Sequence, residues 1–264
     1  MGYPRRIVCL TEETVEILYL LGEQDRIVGI SGYATRPPQA RREKPKVGGY
    51  TSARLDRIVA LRPDLVLAFS DLQADIVGEL VRAGLSVHVS NQRTVAEILD
   101  AIRLVGAMVG AADRADRLVA LLEQGLDAAR ARAARRSARP RVFFEEWDDP
   151  LISAIAWVSE LIGIAGGEDI FADRAGGRLA RERIVTPDQV AARAPDIIIG
   201  SWCGKRFVPA KVAARPGFAE VPAVRSGHLH EIKSPIILQP GPASLTEGLS
   251  ALEAIIGTMD GLRS

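Results

Sequence analysis

The sequence predicts an α/β fold of two lobes, each with a mainly parallel central sheet, joined by one long α-helix. Strand-length apolar runs alternate with amphipathic segments of helical length along almost the whole chain, a pattern typical of parallel α/β layers. One helix-turn-strand phrase occurs twice, and a long helical pattern separates its two copies. We therefore expect a first lobe over residues 1–111, a connecting helical segment over 112–139 and a second lobe over 140–264.

The repeated phrase is the clearest sign of two related lobes. Residues 54–70 read RLDRIVALRPDLVLAFS, and residues 186–202 read TPDQVAARAPDIIIGSW. When the Pro-Asp pairs are superposed, Pro63 falls on Pro195, an offset of 195 − 63 = 132 residues in a chain of 264. A chance match of a common αβ turn is the alternative, but the half-chain offset favours an internal duplication.

Hydrophobic periodicity locates the remaining elements. In the first lobe it predicts strands over residues 6–10, 27–31, 64–69 and 86–90, and helices over 12–21, 55–62, 74–83 and 94–109. In the second lobe it predicts strands over residues 141–146, 196–201 and 228–233, and helices over 155–165, 186–193 and 244–259.

The segment between the lobes has the pattern of one continuous helix. Leucines recur at helical spacing from Leu118 to Leu126, and Pro140 marks the end of the segment. We expect a single helix from about residue 112 to 137. The arginines between residues 130 and 139 have no aromatic residues among them, which favours a solvated helix face over a nucleic-acid patch.

Composition excludes several classes of partner. A net charge of +1 with 25% charged residues gives no overall attraction to nucleic acid. The longest apolar runs fall well short of the roughly 20 residues that cross a bilayer, so we expect no membrane insertion. The first residues show no secretory signal pattern. This predicts a cytoplasmic location for the chain as it stands, and a periplasmic location if a leader precedes Met1.

Aromatic residues are scarce, yet several follow predicted strands. Ligands of open α/β sheets bind at the carboxyl ends of the strands, and flat side chains offer a large contact area at low entropic cost. We therefore expect a bulky, rigid ligand between the lobes. The aromatic residues in these loops are Tyr33, Tyr50, Phe69, Trp147, Trp202 and Phe207.

The densest polar cluster is EEWDDP, which surrounds Trp147. Two carboxylates can act as a glycosidase acid and base, or bind a hard cation. One run of acidic residues does not establish the opposed geometry that this chemistry needs. We expect Glu146 to accept hydrogen bonds from a ligand instead. An enzyme that uses these carboxylates or Cys203 is the alternative.

The sequence gives no diagnostic spacing for a metal site. The three histidines, His88, His228 and His230, would make a zinc or manganese site with a carboxylate or Cys203 only if they converged. We expect exposed strand residues and no metal site. The chain also lacks GxGxxG after a strand, GxxxxGK[ST] and GxSxG, which removes the usual signatures of dinucleotide, P-loop and serine-hydrolase chemistry.

The last long loop, EIKSPIILQPGPASLTEG, contains three prolines that stiffen it. Such a loop is typical of a fixed wall rather than a mobile lid. Lys233, Ser234 and Gln239 lie in it and are candidates for ligand contact.

The chain resembles the vitamin B12-binding proteins of ABC importers, within the wider two-lobed family that also binds iron siderophores and haem. The resemblance covers nearly the whole chain, in RIVCLTEETVEILYLLG, VGISGYATRPPQA, RLDRIVALRPDLVLAF, AGGEDIFAD and TPDQVAARAPDIIIGSW. It implies a class III periplasmic-binding-protein-like fold and a non-enzymatic solute-binding function. The implied ligand is a corrinoid held in the inter-lobe cleft; the alternative is a ferric siderophore or haem.

The resemblance also implies roles for individual residues. Tyr33, Tyr50 and Phe69 would contact the ligand from the first lobe and Phe171 from the second. Asp71 and Asp75 would engage arginines of an ABC permease. It implies a monomer with no covalent cofactor, whose ligand is cobalamin or another metal chelate. The full set of expected ligand contacts is Tyr33, Tyr50, Phe69, Glu146, Trp147, Phe171, Trp202, Cys203, Lys233 and Gln239.

Overall fold

A computed structural model describes residues 2–260 of the chain. The chain divides into two compact units. The first contains the residues up to Gln92 together with Ala96–Leu121, and the second contains Arg93–Val95 and the residues from Leu122 onward. The boundary at Leu121 lies inside a long helix, so both units contain part of that helix.

The first unit has a four-stranded parallel sheet with strand order β2-β1-β3-β4. Strand β1 is buried on both faces, as expected for a parallel sheet covered by helices. Its elements are β1 (Ile7–Cys9), α1 (Glu12–Leu20), β2 (Ile27–Ile30), α2 (Ala40–Glu43), α3 (Leu55–Ala60), β3 (Leu65–Phe69), α4 (Ala74–Arg82), β4 (Val87–Ser90) and α5 (Val95–Met108).

The long helix α6 spans Ala112–Ala133. Its 22 residues extend over about 33 Å at 1.5 Å per residue. Its buried positions recur every three or four residues, while Leu121 is exposed. The predicted helix therefore exists, but it ends about four residues before the expected position. The buried positions are Ala115, Val119, Leu122, Leu126 and Ala129.

The second unit has a mixed five-stranded sheet in which β6, β5, β8 and β9 lie in that order and β7 also pairs with β5. Its elements are β5 (Arg141–Asp148), β6 (Leu151–Ser153), α7 (Ala156–Ile164), β7 (Glu168–Asp169), α8 (Pro187–Ala192), β8 (Ile197–Gly200), α9 (Pro209–Ala213), α10 (Pro222–Ser226), β9 (Leu229–Glu231), α11 (Ser234–Ile237) and, after a π-helical turn over Ser244–Gly248, α12 (Leu249–Gly257).

One hairpin in the second unit was not predicted. Strand β5 continues past the expected end at residue 146 and pairs antiparallel with β6, so that Trp147 lies opposite Ile152. The polar residues of EEWDDP predict a loop. In the structure they form the end of β5 and a tight turn, so Trp147 lies on one strand of a hydrogen-bonded β-hairpin.

The duplicated phrase has the same structure in both units. Helix α3 and strand β3 begin at residues 55 and 65, and α8 and β8 begin at 187 and 197, again 132 residues later. The turn between helix and strand contains a residue with positive φ in both copies: Arg62 at 47° and Ala194 at 43°. The internal repeat predicted from the sequence is therefore a structural repeat.

The aspartate of each Pro-Asp pair explains why the phrase recurs. The Asp64 carboxylate accepts hydrogen bonds from the backbone N–H groups of Arg5 and Arg6, at 2.8 and 2.9 Å. Asp196 accepts one from the N–H of Arg141, at 2.9 Å. In each unit the aspartate thus satisfies backbone donors next to the neighbouring parallel strand, which helps to align the two strands.

Candidate functional site

The carboxyl ends of the first unit's strands are held together by one buried amide, Gln73. Its Nε2 donates to the carbonyl oxygens of Leu10, at 3.3 Å, and Tyr50, at 2.8 Å, and its Oε1 accepts from the N–H of Phe69 at 2.9 Å. These three groups belong to the segment after β1, to the loop before α3 and to the end of β3. Gln73 therefore positions three of the segments from which a ligand site is built in this fold.

A buried glutamate fixes the loop after β2. Glu12 is 5% exposed, and its Oε1 accepts from the N–H and the hydroxyl of Thr35, at 2.9 and 2.6 Å. One turn later, Glu16 pairs with Arg36 at 3.3 Å. The start of α1 thus anchors the loop that contains Tyr33.

Tyr33 presents the most open aromatic surface of this region. Its side chain is 68% exposed. Gly49 lies close to the ring, because a Cβ atom added at Gly49 would be only 3.1 Å from a ring carbon of Tyr33. Tyr50 is half-buried, whereas Phe69 is only 6% exposed at the end of β3. Tyr33 is therefore the more accessible of these rings, and Phe69 packs at the edge of the sheet. Ligand contact at these three residues stays a prediction.

Two other ionisable groups in the first unit are deeply buried. Burial raises the pKa of the Glu13 carboxyl to about 7, although the Thr11 hydroxyl donates to its Oε1 at 2.5 Å and opposes this rise. Burial likewise raises the pKa of the Cys9 thiol to about 12. Cys9 therefore remains a protonated thiol and packs as a small apolar side chain.

In the second unit a buried carboxylate stands at the carboxyl edge of the sheet. Glu145 is 0% exposed and accepts two hydrogen bonds from Arg215, at 2.5 and 2.7 Å. A third comes from the indole Nε1 of Trp202 at 3.0 Å. Burial raises the pKa of the Glu145 carboxyl, and the Arg215 guanidinium is the strongest opposing influence. These bonds connect the ends of β5 and β8 to the segment after α9.

The next two residues of β5 have different partners. Glu146 is bound by the buried Arg183 through two hydrogen bonds, at 2.5 and 3.1 Å. Trp147 is half-buried and donates its indole N–H to the carbonyl oxygen of Asp149 at 2.9 Å. The ammonium of Lys205 lies 4.3 Å from the centre of its ring and 2.8 Å from Asp148. The indole thus packs against the apolar cluster of the second unit and lies within cation–π distance of a lysine.

Comparison with known proteins identifies the family. Residues 7–236 match the family model described as periplasmic binding protein. The chain belongs to the periplasmic binding protein family.

Individual relatives cover nearly all of the chain. It is 27% identical to an uncharacterized ABC transporter substrate-binding lipoprotein of Bacillus subtilis, over 94% of this chain and 79% of the relative. It is 26% identical to a vitamin B12-binding protein of Vibrio parahaemolyticus, over 94% and 88%. Among solved structures, a periplasmic haem-binding protein of Roseiflexus aligns with a TM-score of 0.80 at 26% identity, over 96% of this chain and 99% of that chain. The two-lobed α/β fold class predicted from the sequence is confirmed.

Membership of this family makes the chain a binding protein rather than an enzyme, and the second unit's carboxylates agree with that function. Glu145, Glu146 and Asp148 all form ion pairs, with Arg215, Arg183 and Lys205 respectively. An acid–base pair needs carboxylates that are available to a substrate. Three of the four acidic residues that motivated the enzyme alternative are instead engaged by basic side chains.

Two predicted aromatic contacts of this periplasmic binding protein prove to be core residues. Phe171 is 0% exposed and meets Phe143 edge to face, with ring centres 5.7 Å apart. Trp202 is 5% exposed and packs on Phe207 at 5.1 Å. Both belong to one apolar cluster of the second unit. In this structure both rings contribute to the core, and their role as ligand contacts stays a prediction from the sequence.

The remaining predicted residues lie at or near the surface. Cys203 is an exposed free cysteine in the segment after β8. Lys233 is exposed and bonded to Glu231 at 2.6 Å, and Gln239 is half-buried in the segment after α11. Asp75 is exposed at the start of α4, and Asp71 is exposed in the 3₁₀ turn before that helix. Each of these residues keeps some surface exposed to solvent.

Sequence reasoning missed two residues that organise the site. Gln73 and Arg183 are both at least 98% buried, and each uses its side chain to join separate segments. No local motif marks either residue, because their partners lie in distant parts of the chain.

Proposed function

We propose that this periplasmic binding protein binds a corrinoid of the cobalamin type and delivers it to an ABC permease. Support comes from curated relatives named vitamin B12-binding protein, and from a cobalamin-binding protein of Halobacterium salinarum that is 27% identical over 90% of this chain. Among residues 2–260 no helix has the length and apolarity needed to cross a membrane.

The observation that carries the proposal is a partly exposed aromatic residue at the carboxyl edge of each sheet. In the first unit it is Tyr33, with Tyr50 beside it in the chain segment that Gln73 anchors. In the second unit it is Trp147, held at the end of the β5–β6 hairpin. Flat aromatic groups suit a broad macrocycle, which is recognised by area and rim hydrogen bonds rather than by bond-making groups.

Rim contacts would come from polar residues around these aromatic groups. Cys203, Lys233 and Gln239 are the accessible candidates in the second unit. Glu146 can contribute a carboxylate oxygen while Arg183 holds it in place.

Docking to the permease would use Asp71 and Asp75. Replacing both with lysine is then expected to reduce permease-dependent uptake while cobalamin binding is kept.

Haem is the second candidate ligand. The Roseiflexus haem-binding protein supports it by its fold and its 26% identity, and the exposed Lys205 and Arg206 provide a basic rim that suits an anionic chelate. Corrinoid binding is the preferred proposal because the curated relatives that cover most of the chain include several vitamin B12-binding proteins.

Calorimetric titration of the full chain with cyanocobalamin and, separately, with haemin distinguishes the candidates. We expect cyanocobalamin to bind at micromolar concentration or below, and Tyr33→Ala and Trp147→Ala each to weaken binding about tenfold or more. Tyr3→Ala, which removes an exposed tyrosine before β1, is the matched control. Haemin binding without cyanocobalamin binding would replace the first candidate by the second, and binding of neither would refute both.

A further inference from the structure

Two histidines lie next to each other on the edge strand of the second unit's sheet. Strand β9 is the last strand of the order β6-β5-β8-β9. His228 and His230 are two residues apart, and successive side chains of a strand point to opposite faces. Leu229, between them, packs against the apolar cluster of the second unit. Both imidazoles therefore lie on the other face of β9.

The spacing of the two rings is suitable for sharing one ion. Their centres are 5.9 Å apart, with 31° between the ring planes. An imidazole that binds a metal through nitrogen at about 2.1 Å has its centre roughly 3.2 Å from the ion. Two rings that share an ion therefore have centres less than about 6.4 Å apart, and the observed pair meets this condition.

One nitrogen of the pair lacks an expected partner. His230 Nε2 is buried and receives no hydrogen bond within the described part of the chain. Buried polar atoms without a partner are rare in folded proteins, and a bound ion is one of their ordinary explanations.

We propose that His228 and His230 form a binding site for a divalent transition-metal ion, distinct from the candidate ligand site. His228 immediately precedes β9 and His230 is the middle residue of that strand, whereas the ligand candidates follow the carboxyl ends of the strands. Over residues 2–260 no three His, Cys, Asp or Glu side chains are grouped to hold a metal. The ion would therefore have two imidazole ligands and complete its coordination with water. Imidazole ligands suit Ni²⁺, Cu²⁺ and Zn²⁺.

The test is titration of the untagged full chain with NiCl₂, followed by calorimetry, with Cys203→Ser in every variant to remove the exposed thiol. We expect one Ni²⁺ per chain. His228→Ala and His230→Ala should each weaken binding about tenfold or more, and the double variant should abolish it. His88→Ala, which removes the histidine of the first unit, should bind Ni²⁺ like the parent.

Two results would overturn the site: a parent protein that binds no Ni²⁺ at millimolar metal, or a double variant that binds Ni²⁺ as tightly as the parent. Circular dichroism establishes whether each variant is folded. Electron paramagnetic resonance of the parent with one equivalent of Cu²⁺ provides an independent measurement, since two imidazole ligands predict hyperfine splitting from two nitrogens. Cyanocobalamin binding, measured in histidine variants that retain Cys203, should match that of the unsubstituted chain, so failure of this site and failure of the proposed function are separate outcomes.

Discussion

Individual buried polar and charged side chains connect the loops at the carboxyl edge of each sheet. In the first unit, Glu12 and Gln73 satisfy backbone groups of separate loops. In the second unit, Glu145 pairs with Arg215 and Glu146 pairs with Arg183 near the carboxyl end of β5. A charge in a poorly solvated position requires a partner, because the cost of leaving it unpaired is high. The residues that hold the loops are therefore more sensitive to substitution than the exposed residues proposed to touch the ligand.

Removing Arg215 should leave a fully buried carboxylate without its principal partner. We expect Arg215→Ala to lower the free energy of unfolding by about 3 kcal/mol, as measured for broken buried pairs. Chemical denaturation at pH 7 provides the measurement. Arg225→Ala removes an exposed arginine 3.8 Å from Glu220 and should change stability by less than about 1 kcal/mol. Equal changes in the free energy of unfolding for the two substitutions would show that the buried Glu145–Arg215 pair contributes no more to stability than an exposed pair.

Glu13 should make stability depend on pH. Its folded-state pKa is raised from 4.5 to about 7, so its stabilising contribution is complete below pH 4.5 and is lost as the pH rises through 7. At 1.36 kcal/mol per pKa unit, the loss amounts to about 3 kcal/mol.

The variant Glu13→Gln removes this titration. We expect a smaller decrease in unfolding free energy between pH 4.5 and 7.5, and a variant more stable than the parent at pH 8. Denaturant unfolding at a series of pH values measures both. Glu79→Gln, at an exposed position of α4, should leave the profile unchanged. A parent profile identical to that of Glu13→Gln would contradict the assignment.

At the scale of elements, the duplicated αβ phrase is the unit from which both sheets are built. Each copy places a residue of positive φ between helix and strand and an aspartate at the start of the strand. The left-handed conformation costs a non-glycine residue roughly 1 kcal/mol. The turn is kept in both units because it aims the following aspartate at the backbone beside the neighbouring strand.

Glycine substitution tests the strain in this turn. Ala194 has a φ of 43°, so Ala194→Gly should raise the free energy of unfolding by about 0.5–1 kcal/mol. The matched substitution Ala192→Gly lies at the end of α8, where glycine should destabilise by a similar amount. Thermal or denaturant unfolding measures the pair. Destabilisation by both substitutions would show that the turn is unstrained.

At the scale of the whole molecule, the sequence was sufficient for the fold class because the pattern is regular and repeated. The helix-turn-strand copies and the leucine spacing of α6 each rest on periodicity, which local sequence determines. The β5–β6 hairpin was missed since its polar residues resemble a loop. The burial of Phe171 and Trp202 was not predicted, because it depends on packing partners far away in the chain, which no local pattern reveals.

We propose that a corrinoid ligand contacts the residues at the carboxyl edge of the sheet in each unit. Hydrogen–deuterium exchange of the full chain, measured with and without cyanocobalamin, tests this proposal. We expect slower exchange in residues 31–35 and 46–53 of the first unit and in residues 145–149 and 201–207 of the second. Protection of one unit alone, or protection at the amino ends of the strands, would contradict it.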